Sequence, residues 1–270
     1  MPTEIRKTLL DSLNEYSSLG IADQLDYTKF SLYSIVTHST AIEGSTVTEL
    51  ENQLLFDDGL TPQGRNISEL MMNMDLKRAY EYCLEIKDKH IILTLDFFKS
   101  LSAMVMKNTG SEYKTAQGNF SAADGTFRLL NVTAGKSGRS YMNYLKVPQK
   151  MQDFCTRLNQ RRQKELDCLQ AYELSFDAHF ELVTIHPWAD GNGRVARLLM
   201  NFLQFERHLV PVKIKQEQKS MYIQALIDTQ ENDDLNIFRQ AMFTIHLQNI
   251  QHEIDQFKQD MSNDFISPNI

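Results

Sequence analysis

The residues whose types and spacing could do chemistry lie in one short stretch, His186–Arg197, which reads HPWADGNGRVAR. The stretch follows an apolar helical segment that Pro187 interrupts, and helical periodicity resumes at Val195. We therefore predict a loop between two core helices, with glycines directly before the second helix. The N-terminus of a helix offers free backbone N–H groups and a partial positive charge, and glycine lets a phosphate approach the backbone closely.

Four side chains of this loop could act on a phosphorylated substrate. Arg194 and Arg197 are three residues apart and so share one helix face, and arginine binds phosphate through paired hydrogen bonds. Asp190 could hold a magnesium ion that also bridges phosphate oxygens. His186 can accept a proton near neutral pH, because the reference pKa of histidine is about 6.5. Together these groups favour nucleotidyl transfer.

The same stretch resembles the Fic motif, HxFx(D/E)GNGRxxR. The matching positions are His186, Asp190, Gly191, Asn192, Gly193, Arg194 and Arg197. The residues that follow, LLMNFLQFERHLVPV, are similar to the family's next helix, and the resemblance covers roughly residues 90–250. Trp188 departs from the phenylalanine that is usual at its position. Tryptophan is also apolar and could anchor the loop in the core in the same way.

The resemblance implies a protein adenylyltransferase that transfers AMP from ATP to a hydroxyl side chain of a target protein, with the chain itself as one candidate target. His186 would deprotonate the hydroxyl, and Asp190 would bind Mg²⁺ between the α- and β-phosphates. Arg194 would hold the β-phosphate, and Arg197 the γ-phosphate. The anion hole would be formed by Gly191, Asn192 and Gly193. ATP is thus the expected substrate and Mg²⁺ the expected cofactor.

A second motif lies near the N-terminus, where residues 39–44 read STAIEG. Ser39 and Glu43 are one turn apart on a predicted helix, and Gly44 suits a helix C-cap. A carboxylate in the last turn of a helix is unfavourable with the helix dipole, which suggests another role. The segment resembles the inhibitory motif of Fic proteins, (S/T)xxxE(G/N). The resemblance implies that Glu43 pairs with Arg197 and keeps the triphosphate out of its productive position.

Other activities of a protein with the same fold stay open at this point. The enzyme could use another nucleotide, or remove AMP with Glu43 positioning water. Gly193 favours AMP transfer over the phosphotransferase branch, which resembles this motif with lysine at that position. A catalytically idle nucleotide-binding regulator is a third alternative. His186 and Asp190 argue against it, because nucleotide binding alone needs no base.

Most of the chain has helical periodicity, so we predict an all-α protein, a Fic-fold helical bundle with an inserted β-hairpin flap. The predicted helices are 4–18, 26–43, 46–56, 66–88, 94–107, 147–164, 167–185, 193–207, 217–229 and 234–258. Residues 109–146 are rich in glycine and are predicted to form an irregular loop with a hairpin. Strand-like residues occupy Phe127–Val132 and Tyr141–Leu145. By resemblance, the flap that aligns the target peptide would be about Val132–Tyr144.

The domain prediction is an N-terminal helical layer over 1–85 that contains the inhibitory helix, a Fic catalytic core over 86–260, and a tail over 261–270. The net charge is −7, which argues against non-specific binding to nucleic acid or to an anionic membrane. The N-terminus lacks a signal-peptide core, and no apolar run is long enough to span a membrane. Three cysteines without a CxxC pair are typical of a reducing compartment, so a cytoplasmic location is expected. The sequence does not indicate an oligomeric state.

Overall fold

The computed structural model describes residues 3–134 and 139–266, and within these ranges it contains ten α-helices. The helices are α1 (Thr3–Ser18), α2 (Tyr27–Ile42), α3 (Glu49–Asp57), α4 (Ile67–Ile86), α5 (Leu95–Met106), α6 (Val147–Arg162), α7 (Cys168–Ile185), α8 (Asn192–Phe205), α9 (Lys219–Asn232) and α10 (Leu235–Ile266). The prediction of an all-α protein is therefore confirmed. Helix α10 is longer than expected, since it continues through most of the predicted tail to Ile266.

Two short antiparallel hairpins occupy the glycine-rich region between α5 and α6. The strands are β1 (Glu112–Thr115), β2 (Gly118–Ser121), β3 (Thr133–Ala134) and β4 (Arg139–Ser140). The pair β3 and β4 lies within the segment predicted to be the flap, whose residues 135–138 lie outside the described part of the chain. The hairpin of β1 and β2 did not follow from the sequence.

The predicted strands at Phe127–Val132 and Tyr141–Leu145 are wrong. Phe127 is buried, with its ring 6.1 Å from that of Trp188, and the backbone around it bonds to other loops. Residues Tyr144–Lys146 form a 3₁₀ turn because the Asn143 side chain accepts a hydrogen bond from the N–H of Leu145. Side-chain packing and turn chemistry thus override the strand propensity of these residues.

Contacts divide the chain into two compact units, residues 1–35 with 212–270, and residues 36–211. In the first unit α10 packs against both α1 and α9. The hydroxyl of Tyr16 donates to Glu253 at 2.8 Å, and Lys213 forms an ion pair with Glu253 at 2.5 Å. Among the helices of the described residues, none combines the length and the apolarity that crossing a bilayer requires.

The second unit is organised around the helices α7 and α8, which pack on each other. Helix α6 packs on α7, and α4 and α5 pack on α8. The fully buried side chains of the pair include Phe176, Leu182, Val195, Leu199 and Phe202. A capping box between Asp167 and Gln170 fixes the start of α7. The loop between α7 and α8 is therefore held at both ends by rigid core helices.

Buried polar side chains join the end of α2 to α3 and α4. The Asn73 Oδ1 atom accepts hydrogen bonds from Thr40 Oγ1 at 2.7 Å and from Asn52 Nδ2 at 2.9 Å. Its Nδ2 atom donates to Ser45 Oγ at 3.1 Å and to the Glu69 carbonyl at 2.8 Å. Asn73 thus satisfies groups on three segments, and the position of the last turn of α2 depends on it.

Replacing Asn73 with alanine is expected to lower the free energy of unfolding by about 2 to 4 kcal/mol, because Thr40 and Asn52 would lose a buried partner. The measurement is urea unfolding followed by circular dichroism. The matched control is Asn14→Ala, at an exposed position on α1, which should leave the midpoint unchanged. Equal midpoints for the two variants would show that the Asn73 hydrogen bonds add nothing to stability.

Candidate active site

The candidate site begins where α7 ends. His186 adopts a left-handed backbone conformation (φ 52°, ψ 61°), and its N–H still bonds to the Leu182 carbonyl at 3.0 Å. This conformation is uncommon for a residue other than glycine and is kept only where the surroundings enforce it. Pro187 follows and prevents the helix from continuing. The chain therefore turns sharply at the histidine.

Trp188 anchors the loop in the core, as the sequence predicts. Its side chain is fully buried, and its Nε1 donates to the Gly125 carbonyl at 2.9 Å. The Asn192 side chain accepts from the Trp188 N–H at 3.0 Å and donates to the Trp188 carbonyl at 2.9 Å. The amide of Asn192 thus holds the loop through both its oxygen and its nitrogen.

Helix α8 starts with backbone N–H groups that have no partner within the helix. The first bond within the helix runs from the Val195 N–H to the Gly191 carbonyl at 3.0 Å, so the N–H groups of residues 192–194 precede it. Gly191 has φ 81°, and a Cβ atom there would lie 2.6 Å from the Met106 sulfur. Glycine is required at this position for both reasons. The loop thus forms the cradle for an anion that its sequence predicts.

Arg194 lies in this cradle as a buried cation with unused donors. Its side chain is 4% exposed, and its Nη2 contacts the Met106 sulfur at 3.0 Å and Asp190 Oδ1 at 3.6 Å. The Nε and Nη1 atoms are buried and have no hydrogen-bond partner among the described residues. Burial lowers the pKa of Arg194, and the carboxylate of Asp190 opposes this shift. An anion beside Arg194 would satisfy the orphaned donors.

Arg197 is the second buried cation, and the end of α2 occupies it. Its Nε donates to Ser39 Oγ at 2.8 Å, and its Nη2 donates to the Ser39 carbonyl at 2.9 Å. The same Nη2 pairs with Glu43 Oε1 at 2.6 Å. Ser39 and Glu43, one turn apart in the sequence, therefore meet the same guanidinium.

The carboxylate of Glu43 also lies over the first turn of α8. A Cβ atom added to Gly193 would be 2.6 Å from Glu43 Oε1 and 3.0 Å from Arg197 Nη1. Gly193 therefore leaves room for the contact between the two side chains. Gly44, the next residue, has φ 104° and ends α2 through bonds to the last turn. Glu43 is thus the protein's own anion at the positive end of α8.

His186 is set up to be neutral at physiological pH. Burial lowers its pKa to about 4; the Val183 carbonyl opposes this shift, and the charge of Arg128 adds to it. The carboxylate of Glu43 is near enough to raise the pKa slightly against these effects. The ring of Tyr141 stacks on the imidazole with centroids 3.6 Å apart. A neutral, desolvated imidazole can accept a proton.

Asp190 is the most exposed of the predicted site residues in the loop. Its side chain is 60% exposed, and Oδ1 accepts a hydrogen bond from the Gly191 N–H at 2.6 Å. Within the described residues no cluster of three metal-ligating side chains occurs. Magnesium that arrives with a nucleotide commonly uses one or two protein carboxylates together with phosphates and water. An exposed carboxylate beside an anion cradle fits that mode of binding.

The structure brings together all the predicted site residues of both motifs, and it adds three that the sequence did not indicate. Met106 contacts Arg194 and lies against Gly191. Tyr141 covers the ring of His186, and Arg128 donates to the His186 carbonyl at 2.8 Å. Each of the three is isolated in the sequence and belongs to no spaced motif, so no local pattern could have identified it.

Comparisons with known proteins agree with this geometry. Residues 92–204 match the Fic/DOC family. The protein adenylyltransferase fic-1 of Caenorhabditis briggsae is 26% identical over 223 residues, covering 82% of this chain and 41% of that protein. The protein adenylyltransferase Fic of Drosophila grimshawi is 28% identical over 213 residues, covering 76% and 39%. The chain therefore spans about two fifths of the length of these relatives.

Solved structures show the same fold. A Fic-domain-containing signaling protein from Bacteroides thetaiotaomicron aligns with a TM-score of 0.78 at 20% identity, covering 93% of this chain and 98% of that chain. A fragment of Fic-1 from C. elegans aligns with a TM-score of 0.71 at 21% identity, covering 95% and 73%. The fold and the motif at residues 186–197 agree with the family comparison, in which residues 92–204 match the Fic/DOC family.

Proposed function

We propose that the chain is a protein adenylyltransferase that transfers AMP from ATP to a hydroxyl side chain of a target protein and is restrained by Glu43. The observation that carries the proposal is the buried Arg194, whose Nε and Nη1 have no partner in the described structure, at the N-terminus of α8. A buried cation with orphaned donors beside free helix N–H groups is suited to a polyphosphate. The names of the relatives in worms and flies point to the same activity.

In the proposed reaction His186 removes the proton from the target hydroxyl. The hydroxyl oxygen forms a bond to the α-phosphorus, the bond from that phosphorus to the bridging oxygen breaks, and pyrophosphate leaves. Arg194 holds the β-phosphate, and the N–H groups that precede the first helical bond of α8 hold the remaining charge. The protein thus acts by positioning and by neutralising charge.

Asp190 would hold Mg²⁺ on the nucleotide in this scheme. When bound, the ion would neutralise negative charge on the phosphates as pyrophosphate departs. Asp190 already accepts the Gly191 N–H through Oδ1, which orients the carboxylate toward the cradle. The hairpin of β3 and β4 would be the flap, and its short strands could pair with the backbone of a target peptide.

Restraint follows from the occupied Arg197. The γ-phosphate of ATP would need the guanidinium that Glu43 and Ser39 now hold. A triphosphate that enters while this contact persists is turned from the in-line position, so transfer is slow. ATP would therefore bind in a position that does not lead to transfer.

A second candidate activity is removal of AMP from a modified target. Glu43 pairs with Arg197, and its charge raises the pKa of His186, so in this reaction its carboxylate would be the group that positions the attacking water molecule. In that case Glu43 would be required for one reaction and inhibitory for the other. Persistence of AMP-modified protein in a Glu43→Gly variant would reveal it.

Glu43→Gly is expected to raise AMP transfer about 10- to 1,000-fold, because it frees the buried guanidinium of Arg197 from its contact with the half-exposed carboxylate. Label from the α-phosphate of ATP should become protein-bound, and label from the γ-phosphate should not. The matched variant Glu43→Gln keeps the side-chain volume and should activate through loss of charge.

The activation should require Arg197, since both changes act on one contact. In the Arg197→Ala background the Glu43 change should have little effect. Equal activation with and without Arg197, or no activation in either, would show that the inhibitory pair does not operate. Protein-bound label from the γ-phosphate would instead indicate a different transferase.

His186→Ala is expected to lower the rate of transfer by about 10²- to 10⁴-fold while ATP affinity stays the same, because the base acts only in the chemical step. Single-turnover kinetics and calorimetry in the Glu43→Gly background would measure the two quantities. His252→Ala, at an exposed position on α10, is the control and should change neither. Unchanged single-turnover rates in His186→Ala would remove this residue from the mechanism.

Asp190→Ala is expected to lower magnesium-dependent transfer by at least about a hundredfold, because a metal contributes several kcal/mol of charge stabilisation. The rate of transfer as a function of Mg²⁺ concentration, measured in the Glu43→Gly background, would show this loss. The exposed Asp255 on α10 provides the control, and Asp255→Ala should titrate like the parent. Full activity with the same Mg²⁺ dependence in Asp190→Ala would contradict the assignment.

A further inference from the structure

Arg128 is a buried arginine that the proposed reaction does not use. It is 1% exposed, and among the described residues no carboxylate forms an ion pair with it. Burial lowers its pKa, as expected for a charge removed from water. A buried charge without a counter-ion is costly unless hydrogen bonds satisfy it. The bonds that Arg128 makes should therefore indicate why the protein retains it.

All three nitrogens of the guanidinium donate to backbone carbonyls. Nε donates to His186 at 2.8 Å, Nη1 donates to Leu130 at 2.8 Å, and Nη2 donates to Met142. The backbone N–H of Arg128 also bonds to the Pro187 carbonyl at 3.0 Å. One residue thus holds the turn at the proposed base and both sides of the β3–β4 hairpin.

The hydrogen bond from Arg128 to the His186 carbonyl lies at a strained backbone position. His186 is in the left-handed conformation, which costs about 1–3 kcal/mol for a residue other than glycine. The planar guanidinium can reach this carbonyl and the hairpin together because its donors point in fixed, diverging directions. A lysine at position 128 has a single ammonium group and cannot reproduce that geometry.

The hydrogen bond from Arg128 to the Met142 carbonyl fixes the neighbouring residue, Tyr141. Tyr141 donates its N–H to the Val132 carbonyl at 3.0 Å, which adds a rung beside β3 and β4. Its ring lies on the imidazole of His186, with centroids 3.6 Å apart and planes 17° apart. The imidazole is therefore held from the backbone side by Arg128 and from the ring face by Tyr141.

We propose that Arg128 is a positioning residue: by bonding to His186, Leu130 and Met142 it keeps the imidazole of His186 stacked beneath Tyr141 and aligned with the flap. The catalytic part of this inference rests on the proposed function, whereas the structural part does not. Arg128 contacts no reacting atom and acts through His186. The geometry couples the alignment of the target peptide to the orientation of the base.

The stack gives a spectroscopic signature that does not depend on activity. The protons of an imidazole beneath a tyrosine ring are shifted upfield by the ring current. In a sample with ¹³C-labelled histidine, the signal of His186 should show this shift, and its loss in His186→Gln would identify it. Arg128→Lys should abolish the shift, while the signals of the buried His179 and His246 stay in place and confirm folding. Tyr141→Phe should retain it.

Transfer is measured in the Glu43→Gly background, with α-phosphate label and the chain itself as acceptor. Arg128→Lys should lower kcat by about 10- to 100-fold, the effect of a small misplacement, with ATP affinity unchanged. The control is Arg157→Lys, since Arg157 is 51% exposed and forms an ion pair with Glu181. It should change neither kcat nor the histidine spectrum.

The proposal is overturned if Arg128→Lys keeps the upfield signal, or if it loses the signal and transfers AMP at the parent rate. If Glu43→Gly incorporates no label, the proposed function fails and the spectrum alone decides the positioning role. Should Arg128→Lys not fold, the pair Tyr141→Phe and Tyr141→Ala decides instead. Phenylalanine should retain transfer and alanine should lose it, and equal rates would overturn the proposal.

Discussion

The positive N-terminus of α8 is the constraint on which the rest of the unit depends. Arg194 and Arg197 are both buried in the first turns of this helix, where the free N–H groups already carry partial positive charge. Such a concentration of positive charge away from water is unfavourable unless an anion lies beside it. The protein supplies Glu43, which pairs with Arg197, and Asp190, which lies 3.6 Å from Arg194 Nη2, and among the described residues the Nε and Nη1 of Arg194 still have no partners.

Several parts of residues 36–211 can be understood as support for that arrangement. The buried amide of Asn73 fixes the end of α2, and so places Ser39 and Glu43 against Arg197. Asp75 accepts two hydrogen bonds from Asn108, at 2.7 Å and 2.6 Å, and so holds the residues just after Met106. Satisfied polar networks of this kind specify one arrangement of a core, since each unpaired member would be costly. The contact between Glu43 and Arg197 is therefore part of the packing of this unit.

Much of the site could be predicted because its residues are adjacent in the sequence. The positions from His186 to Arg197 are fixed by one loop and one helix turn, so their spacing determines their geometry. The pairing of Glu43 with Arg197 is a contact between distant segments, and only resemblance to a family suggested it before the structure showed it. Arg128 and Met106 were not predicted, because their roles arise from bonds to backbone carbonyls and from packing against glycine.

The helices were predictable for a related reason, since their periodicity and caps are local. The strands were not: Phe127 resembles a strand residue but packs against Trp188, and Asn143 starts a turn where a strand was expected. The sequence pattern of the β1–β2 hairpin is weaker than that of the helices. Its Tyr113 and Phe120 face each other in register with ring centroids 4.9 Å apart, a pairing that cannot be seen until the two strands are aligned.

The central claim is that Glu43 occupies the place of a phosphate at Arg197. It is tested most directly by crystal structures of the wild-type and Glu43→Gly chains with Mg²⁺ and a non-hydrolysable ATP analogue. In Glu43→Gly the guanidinium of Arg197 should lie at hydrogen-bond distance from the γ-phosphate, about 2.7–3.2 Å. In the wild type it should stay on Glu43, with the γ-phosphate elsewhere. A wild-type complex in which Arg197 binds the γ-phosphate while its contact with Glu43 persists would contradict the account.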